Sequence, residues 1–444
     1  MKSLRILSSL GLASAFAFGC HSPADVAARN DADNTDASSS QDTVSRSDSP
    51  AVTAPEISVA DYTSFIADSN SFGLGLYQQV NSDLSLTDKN GIFSPVSAEL
   101  ALAMTYGGAV ADTAAAMKTT LRDNLSPGLY HVACNRLRRD LLSRAYSRTD
   151  SYGYPWRIEL APANSLWMDR TFSVKTSFLD LLSQQYDTGL YRVDFANQPE
   201  PSRLAINAWV MDNTHDRIEN LLQPEDVDAS TRFVIVNALY FFGSWATPFD
   251  KTRTAPGSFH TLAGADVTVN MMHGMTQSLN YKSTPTAEVL QLPYTNGELW
   301  MTMVLPSSGQ FEAVRSQISG AWLTDVTTGL NSTSVQLTLP KFKITTPQLK
   351  LKDSLTALGM GIAFTGPADF SGMTNEGFLI SDVIQKAFIG VDEDGTEAAA
   401  ATAVVGTFGL PPIPIALTFD RPFLFFIQDK SGIVLFAGQV VDPT

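Results

Sequence analysis

The side chains able to do acid–base, nucleophilic or metal chemistry are few and scattered. Five histidines (His21, His131, His215, His260, His273) and two cysteines (Cys20, Cys134) stand at no metal-ligand or redox-pair spacing. There is no G-x-S-x-G elbow, no H-E-x-x-H pair, and no Rossmann or P-loop glycine signature. No metal site and no cofactor is therefore expected. The unusual stretch is Glu393–Pro414, EDGTEAAAATAVVGTFGLPPIP. It opens with acids and a glycine, passes through four alanines, turns β-branched and ends in prolines. Alanine is the best helix former and valine is among the best strand formers, so no ordinary core element has this order. Its leading part, with the residue before it, DEDGTEAAAAT, lacks the large apolar side chains of a core. One local reading is a helix capped by Thr396 with Ala398 to Ala401 behind it. The other is a strand without a sheet.

The elements around this stretch divide the chain in two styles. Phe65, Phe72, Leu76 and Tyr77 recur at helical spacing, and FSPVSAELALAMTYGGA opens on Ser94-Pro95 and closes on Gly107-Gly108, a buried helix with both ends marked. DTAAAMKTTL and GLYHVACNRLRRDLLSRAY add two more helices, and residues 202–222 read as an amphipathic one. RIELAPANSLWM and TRFVIVNALYFFGSWATPF are long apolar, β-branched runs of the kind buried on both faces of a sheet. AEVLQLPY, LWMTMVLP, SVQLTLPKFKI, KAFIGVDE, IALTFDRPFLFFIQD and IVLFAGQVV are further strands. Helices first and strands later predict an α+β fold with large, mostly antiparallel sheets.

Composition narrows the partners. The net charge of −15 argues against nucleic acid, whose phosphates need a cationic surface. Residues 1–20 carry Lys2 and Arg5, then the apolar run ILSSLGLASAFAFG, too short to span a bilayer, and end at Cys20. This resembles a bacterial lipoprotein signal, which implies lipidation of Cys20, although Ala17 stands where leucine is usual; a plain secretory signal is the alternative. Residues 21–56 are Asp-, Ser-, Ala- and Thr-rich and read as a disordered tether. Residues 57–444 then form one large domain, exported and either membrane-anchored or extracellular.

The ordered set FSPVSAELALAMTYGGA, VNALYFFGSWATPF, VLQLPY, LPKFKI, DEDGTEAAAAT and FDRPFLFFIQDKSGIVLFAGQVVDP resembles the serpin family over nearly the whole domain. The resemblance implies three β-sheets, about eight or nine helices and an exposed reactive loop over 393–420. It implies an irreversible suicide-substrate inhibitor, not an enzyme, acting as a monomer on serine endopeptidases, with cysteine endopeptidases a further class. A target protease cleaves the loop and forms an acyl-enzyme; the loop then inserts as a new strand into the main sheet and traps the protease.

The residue types suit that mechanism. Gly395 gives a permissive hinge. If Thr396 points inward on insertion, so do Ala398, Ala400, Thr402 and Val404, all small or apolar, while Glu397, Ala399 and Ala401 take the other face. No proline lies between Val391 and Leu410, so each of those residues can donate to a new ladder. About fourteen residues at 3.3 Å each span roughly 46 Å, a long sheet dimension. Position by position, the resemblance assigns Glu393 to the hinge, Lys341 as its partner, Trp245 to the breach beneath them, and Ser94, Ser97, Asn237 and Gln385 to the shutter where the strands part. Gln385 stands where histidine is common in the family.

The bond cut is less fixed. The family's count from Glu393 gives Gly409–Leu410, while the count back from DRPF gives about Pro411. Phe408–Gly409 is favoured because it offers an aromatic anchor and an unhindered partner, with Thr407 or Val405 behind; chymotrypsin- or elastase-like targets follow. No Lys or Arg lies between Asp394 and Asp420, so trypsin-like targets are disfavoured. Arg136, Arg138 and Arg139 crowd one helix that resembles the polyanion-binding helix of some serpins; a solvated face with local acid partners is the alternative. The rival function is a non-inhibitory serpin acting as a binding or carrier protein.

Overall fold

The strand Phe233–Ser244 is buried at each of its 12 positions, and the fold is organised around it. Phe233, Ile235, Leu239 and Phe241 project into the main core. Val234, Val236 and Ala238 project the other way, against Trp167, Ile206 and Val210. This is the period-2 alternation of a strand covered on both faces, as the apolar run VIVNALYFF predicts. The computed structural model describes residues 43–83, 86–396 and 413–444. The expectations for Cys20, for Glu397, Ala398, Ala399, Ala400, Ala401 and Thr402, and for Phe408, Gly409 and Leu410 lie outside the described residues.

Among the described residues the strands join into two hydrogen-bonded networks, of 10 and 9 strands. The first runs Thr43–Ser45, Leu190–Val193, Pro155–Asp169, Phe233–Ser244, Gly395–Thr396, Phe388–Val391, Phe342–Thr345. The second contains the strands between Ala255–His260 and Val434–Val440 that do not belong to the first, together with Gly91–Phe93. Where three sheets were expected, two of them share a strand. Asp266–Ser283 is 18 residues long, pairing at its start with Ala255–His260 and at its end with Ala287–Pro293, so the ladders never break.

The helix Pro95–Tyr106 begins and ends as predicted, with the Ser94 side chain accepting from the Ser97 amide and Gly107 at its far end. The helix expected over 202–222 is Pro199–Asn213 instead. His215, Asp216 and Asn220 take positive φ, which polar residues tolerate and a helix does not. Thr214 takes over the hydrogen bonds, donating to the Val210 carbonyl and accepting from the Ile218 amide.

Within Pro95–Tyr106, Glu99 is fully buried and accepts hydrogen bonds from Ser69 Oγ and, at 3.1 Å, from Tyr130 OH. Burial outweighs these bonds and pushes its carboxyl up to about 7. The folded state thus holds this proton more tightly than the unfolded state. Stability is expected to fall as pH rises from about 4.5 to about 7 and to level off above, by on the order of 3 kcal/mol. Urea unfolding at a series of pH values checks this, and Glu99→Gln should flatten the slope.

The tether is shorter than its composition suggests. Thr43–Ser45 forms an antiparallel edge strand on Leu190–Val193. Ser49 Oγ donates to Asp180 at 2.7 Å, and Ser47 donates to the same carboxylate. The Val52 amide donates to the Gln184 carbonyl at 2.8 Å, while the Val52 carbonyl accepts from Asn135 and Arg139, each at 2.9 Å. Composition reports apolar burial, and this strap needs none: it satisfies backbone and hydroxyl groups along a sheet edge. A chain starting at Ile57 is expected to unfold with a stability lower by about 2 kcal/mol, since several net contributions of roughly 1 kcal/mol vanish together. Urea denaturation of both chains measures it.

Candidate functional site

The site begins where two strands part. Val383–Lys386 pairs in parallel with the central strand, from Val383 opposite Ile235 to Lys386 opposite Ala238. Past Ala238 that pairing stops. Phe388–Val391 bonds instead to Phe342–Thr345 on its far side. The space opened between the strands is filled at its head by Gly395 and Thr396, opposite Ser244 and Gly243 respectively, with Thr396 also opposite Val391. Below them lies a cleft of about 890 Å³, lined by Phe242 and Arg157 on one side and Phe388, Gly390 and Lys343 on the other.

Two close fits hold the head of this wedge. A Cβ at Gly395 would stand 2.1 Å from the Gly243 carbonyl oxygen, so only glycine fits between the backbones there. Thr396 is 1% exposed, and its hydroxyl shares a 2.8 Å hydrogen bond with Tyr294 OH. Tyr294 stacks on Trp245 at 4.6 Å between ring centroids. Trp245 Nε1 donates to the Asp392 carbonyl at 3.0 Å, and its amide donates to the Asp394 carbonyl at 2.9 Å.

Two of the three acids before the hinge are paired with lysines. Glu393 receives Lys341 Nζ at 2.7 Å and Thr254 Oγ1 at 2.7 Å. Burial pushes its carboxyl up, but those hydrogen bonds prevail and hold it below the usual glutamate range. Asp394, 1% exposed, meets Lys251 at 2.6 Å. The structure thus brings Glu393, Lys341 and Trp245 together at one end of the parted strands. Thr254, Lys251, Tyr294 and Gly243 were missed: each belongs to a strand or turn remote in sequence, and nothing local marks it as facing the hinge.

The second cluster lies where the parallel pairing holds. Gln385 Oε1 accepts from the Ser94 amide at 3.0 Å, and its Nε2 donates to the Ser94 carbonyl at 3.0 Å and to Asn237 Oδ1 at 2.5 Å. Ser97 Oγ donates to Asn164 Oδ1 at 2.8 Å, and Ser94 Oγ to the Leu435 carbonyl at 2.8 Å. Ser94, Ser97, Asn237 and Gln385 are all buried. One amide thus ties the start of helix Pro95–Tyr106 to both strands that would have to separate. Asn237 Nδ2 is buried with no acceptor among the described residues.

The arginine cluster on helix Leu129–Ser143 does not form one cationic face. Arg136 pairs with Asp140 at 3.0 Å and lies over the Tyr62 ring; Arg138 shares Asp187 with Arg46; Arg139 holds the Val52 carbonyl. Each of the three arginines thus has a local partner, as the solvated-face alternative expects.

The chain as a whole is similar to known proteins. Human Serpin B3 is 35% identical over 392 residues, covering 84% of this chain and 97% of its own length. Serpin48, described as a highly specific serpin in the insect Tenebrio molitor, superposes with a TM-score of 0.75 at 31% identity, covering 88% of this chain and all of its own. Human thyroxine-binding globulin complexed with thyroxine gives a TM-score of 0.75 at 29% identity, covering 86% of this chain and 100% of its own. The family model described as Serpin (serine protease inhibitor) matches residues 67–443, and this chain belongs to the serpin family.

Proposed function

We propose that this serpin is an irreversible inhibitor of serine endopeptidases, with cysteine endopeptidases a further class. The observation that carries the proposal is the pairing of Gly395 and Thr396 between the parted strands. Continued rung by rung, that antiparallel register sets Ala398 opposite Phe241, Ala400 opposite Leu239, Thr402 opposite Asn237 and Val404 opposite Ile235. Phe241, Leu239 and Ile235 face the main core, so the side chains arriving beside them are small or apolar.

In this mechanism the protease serine Oγ attacks the carbonyl carbon of Phe408. The bond to the Gly409 nitrogen breaks, that nitrogen leaves as an amine carrying the transferred proton, and an ester joins the two proteins. Insertion of the freed segment removes the ester from the geometry that hydrolysis needs. Glu393, Gly395, Thr396, Trp245 and Lys341 act at the head of the slot, and Ser94, Ser97, Asn237 and Gln385 control its opening. The large aromatic at Phe408 favours chymotrypsin-like targets, with elastase-like targets next. Export and a lipid on Cys20 belong to the same proposal; among the described residues no helix is long and apolar enough to cross a membrane.

The likeness to thyroxine-binding globulin keeps a second reading in view, a carrier that inhibits nothing. A panel of serine proteases resolved on SDS gels separates the two. An SDS-resistant complex is expected, with mass spectrometry giving a released peptide that starts at Gly409. Cleavage by each protease without a complex defeats inhibition, and another peptide start moves the bond.

A further inference from the structure

The two Asn-Gly pairs of the sequence, Asn90–Gly91 and Asn296–Gly297, sit in opposite surroundings. An asparagine before a glycine is able to modify itself. Its side-chain carbonyl carbon lies beside the next amide nitrogen, and glycine has no Cβ to screen that nitrogen. At the first pair the side chain is held on both ends. Asn90 Nδ2 donates to the Asp442 carbonyl, and Oδ1 accepts from the Val441 amide at 2.7 Å and the Asp442 amide at 3.0 Å. Gly91 belongs to a ladder, opposite Gln439.

The second pair is exposed, in the turn between the strands Ala287–Pro293 and Leu299–Pro306. Asn296 and Gly297 have φ of 68° and 71°, a backbone that asparagine and glycine tolerate best. The turn thus selects the pair for its shape, and the reactivity comes with it. Asn296 Oδ1 accepts from the Glu298 amide at 3.0 Å, while its Nδ2 meets no acceptor among the described residues. The Oδ1 bond bridges over Gly297, so Cγ is kept beside the Gly297 nitrogen. Its donor also stands where negative charge gathers on Oδ1 during attack. The Gly297 amide gives up one 3.2 Å bond, to the Tyr294 carbonyl, and a Cβ there would meet nothing within 4 Å, so solvent base has access to it.

We propose that Asn296 is a self-modifying site, converted without an enzyme to aspartate and isoaspartate, while Asn90 stays intact. The Gly297 nitrogen loses its proton to solvent base and bonds to Asn296 Cγ. The Cγ–Nδ2 bond breaks, and Nδ2 leaves as ammonia with a proton from water. Water then opens the resulting five-membered imide at either carbonyl. One opening gives aspartate, and the other gives isoaspartate, whose backbone runs through Cβ and Cγ. Aspartate adds a charge near Glu298, which already pairs with Lys430 at 2.5 Å and Arg144 at 3.0 Å. Isoaspartate lengthens by one atom a turn closed by the Tyr294 amide on the Leu299 carbonyl at 3.0 Å. Tyr294 carries the Thr396 hydroxyl and the Trp245 ring, so the change is transmitted to those contacts. The modification itself does not depend on the inhibitor reading.

The experiment stores the full chain, folded, in warm, mildly alkaline buffer and follows two tryptic peptides by mass spectrometry. The peptide 283–315 should exchange one NH for one O at Asn296, faster as the pH is raised. The peptide 90–118 should convert more slowly by about tenfold or more, because Asn90 must first release two further hydrogen bonds. In urea the two rates should converge. Asn296→Gly keeps the positive φ and should abolish the exchange in 283–315. The stored wild type should unfold at a lower urea concentration than Asn296→Asp, which carries the charge without the longer backbone. Conversion of both pairs at one rate in the folded protein, or of neither, overturns the proposal. Equal urea midpoints for the stored wild type and Asn296→Asp overturn the transmission to Tyr294, as does an equal loss of stability on storing Asn296→Gly.

Discussion

If the loop inserts as proposed, Thr396→Arg is expected to turn the proposed inhibitor into a substrate. Thr396 is 1% exposed and fits between Gly243 and Val391 with its hydroxyl on Tyr294. An arginine there must either be buried beside Tyr294 without a partner or keep the hinge out of the slot. Burying an uncompensated charge costs several kcal/mol, and each 1.4 kcal/mol is a factor of ten. The SDS-resistant complex should therefore fall by about tenfold or more, while cleavage of the loop continues. The intact protein should lose the Thr396–Tyr294 bond and the short pairing of Gly395 and Thr396, net contributions of roughly 1 kcal/mol each, because the hinge can swing clear. Gly395→Ala should act in the same direction through the contact with the Gly243 carbonyl, and Thr396→Ser should leave trapping unchanged. Titration of a fixed amount of protease against each variant gives the stoichiometry. A Thr396→Arg protein that traps as efficiently as the wild type would end the case for insertion through this slot.

The second large effect is expected at Gln385. Its amide makes three buried hydrogen bonds, two to the Ser94 backbone and one to Asn237. Gln385→Leu nearly keeps the volume and deletes all of them, stranding the Ser94 amide and Asn237 Oδ1, while the Ser94 carbonyl keeps the Ala98 amide. Stranded buried groups cost about 1–3 kcal/mol each, so the intact form should lose about 4 kcal/mol. The loss should be read by urea unfolding of the intact protein, and a rise in spontaneous loss of inhibitory activity on warming should accompany it. Gln385→His keeps a donor and an acceptor and should recover part of the stability. If Gln385→Leu unfolds at the wild-type midpoint, the network does not hold the strands together.

The sequence disclosed some of this architecture and hid the rest for physical reasons. The buried run of Phe233–Ser244, the capped helix Pro95–Tyr106 and the pairing of Glu393 with Lys341 were legible, the first two from periodicity and capping and the last from resemblance. What stayed hidden depends on nonlocal backbone pairing. Nothing in residues 393–396 marks them as already seated between two strands more than a hundred residues apart. Tyr294 sits after a strand and beside an Asn-Gly turn, and only the register reveals that its hydroxyl faces Thr396. The strap at 43–52 was concealed because a Ser- and Asp-rich stretch has no apolar signal, although its backbone can still complete a ladder. The arginine cluster shows the same limit: Asp140 stands four residues from Arg136 on the same helix, but Asp187 and the Val52 carbonyl come from elsewhere in the fold.

The strap also bears on how this protein behaves in crowded solution. With Thr43–Ser45 in place, Leu190–Val193 is an interior strand of its sheet. Without it, that strand becomes the rim and offers a row of open amides and carbonyls to any extended chain nearby. A protease that nicks the chain ahead of Ile57 would therefore create a sticky margin as well as a weaker fold. Two copies could then zip rim to rim, and the damage would appear as concentration-dependent clumping before any loss of helix or strand content. For a molecule proposed to work among proteases, keeping that seam shut protects its colloidal lifetime.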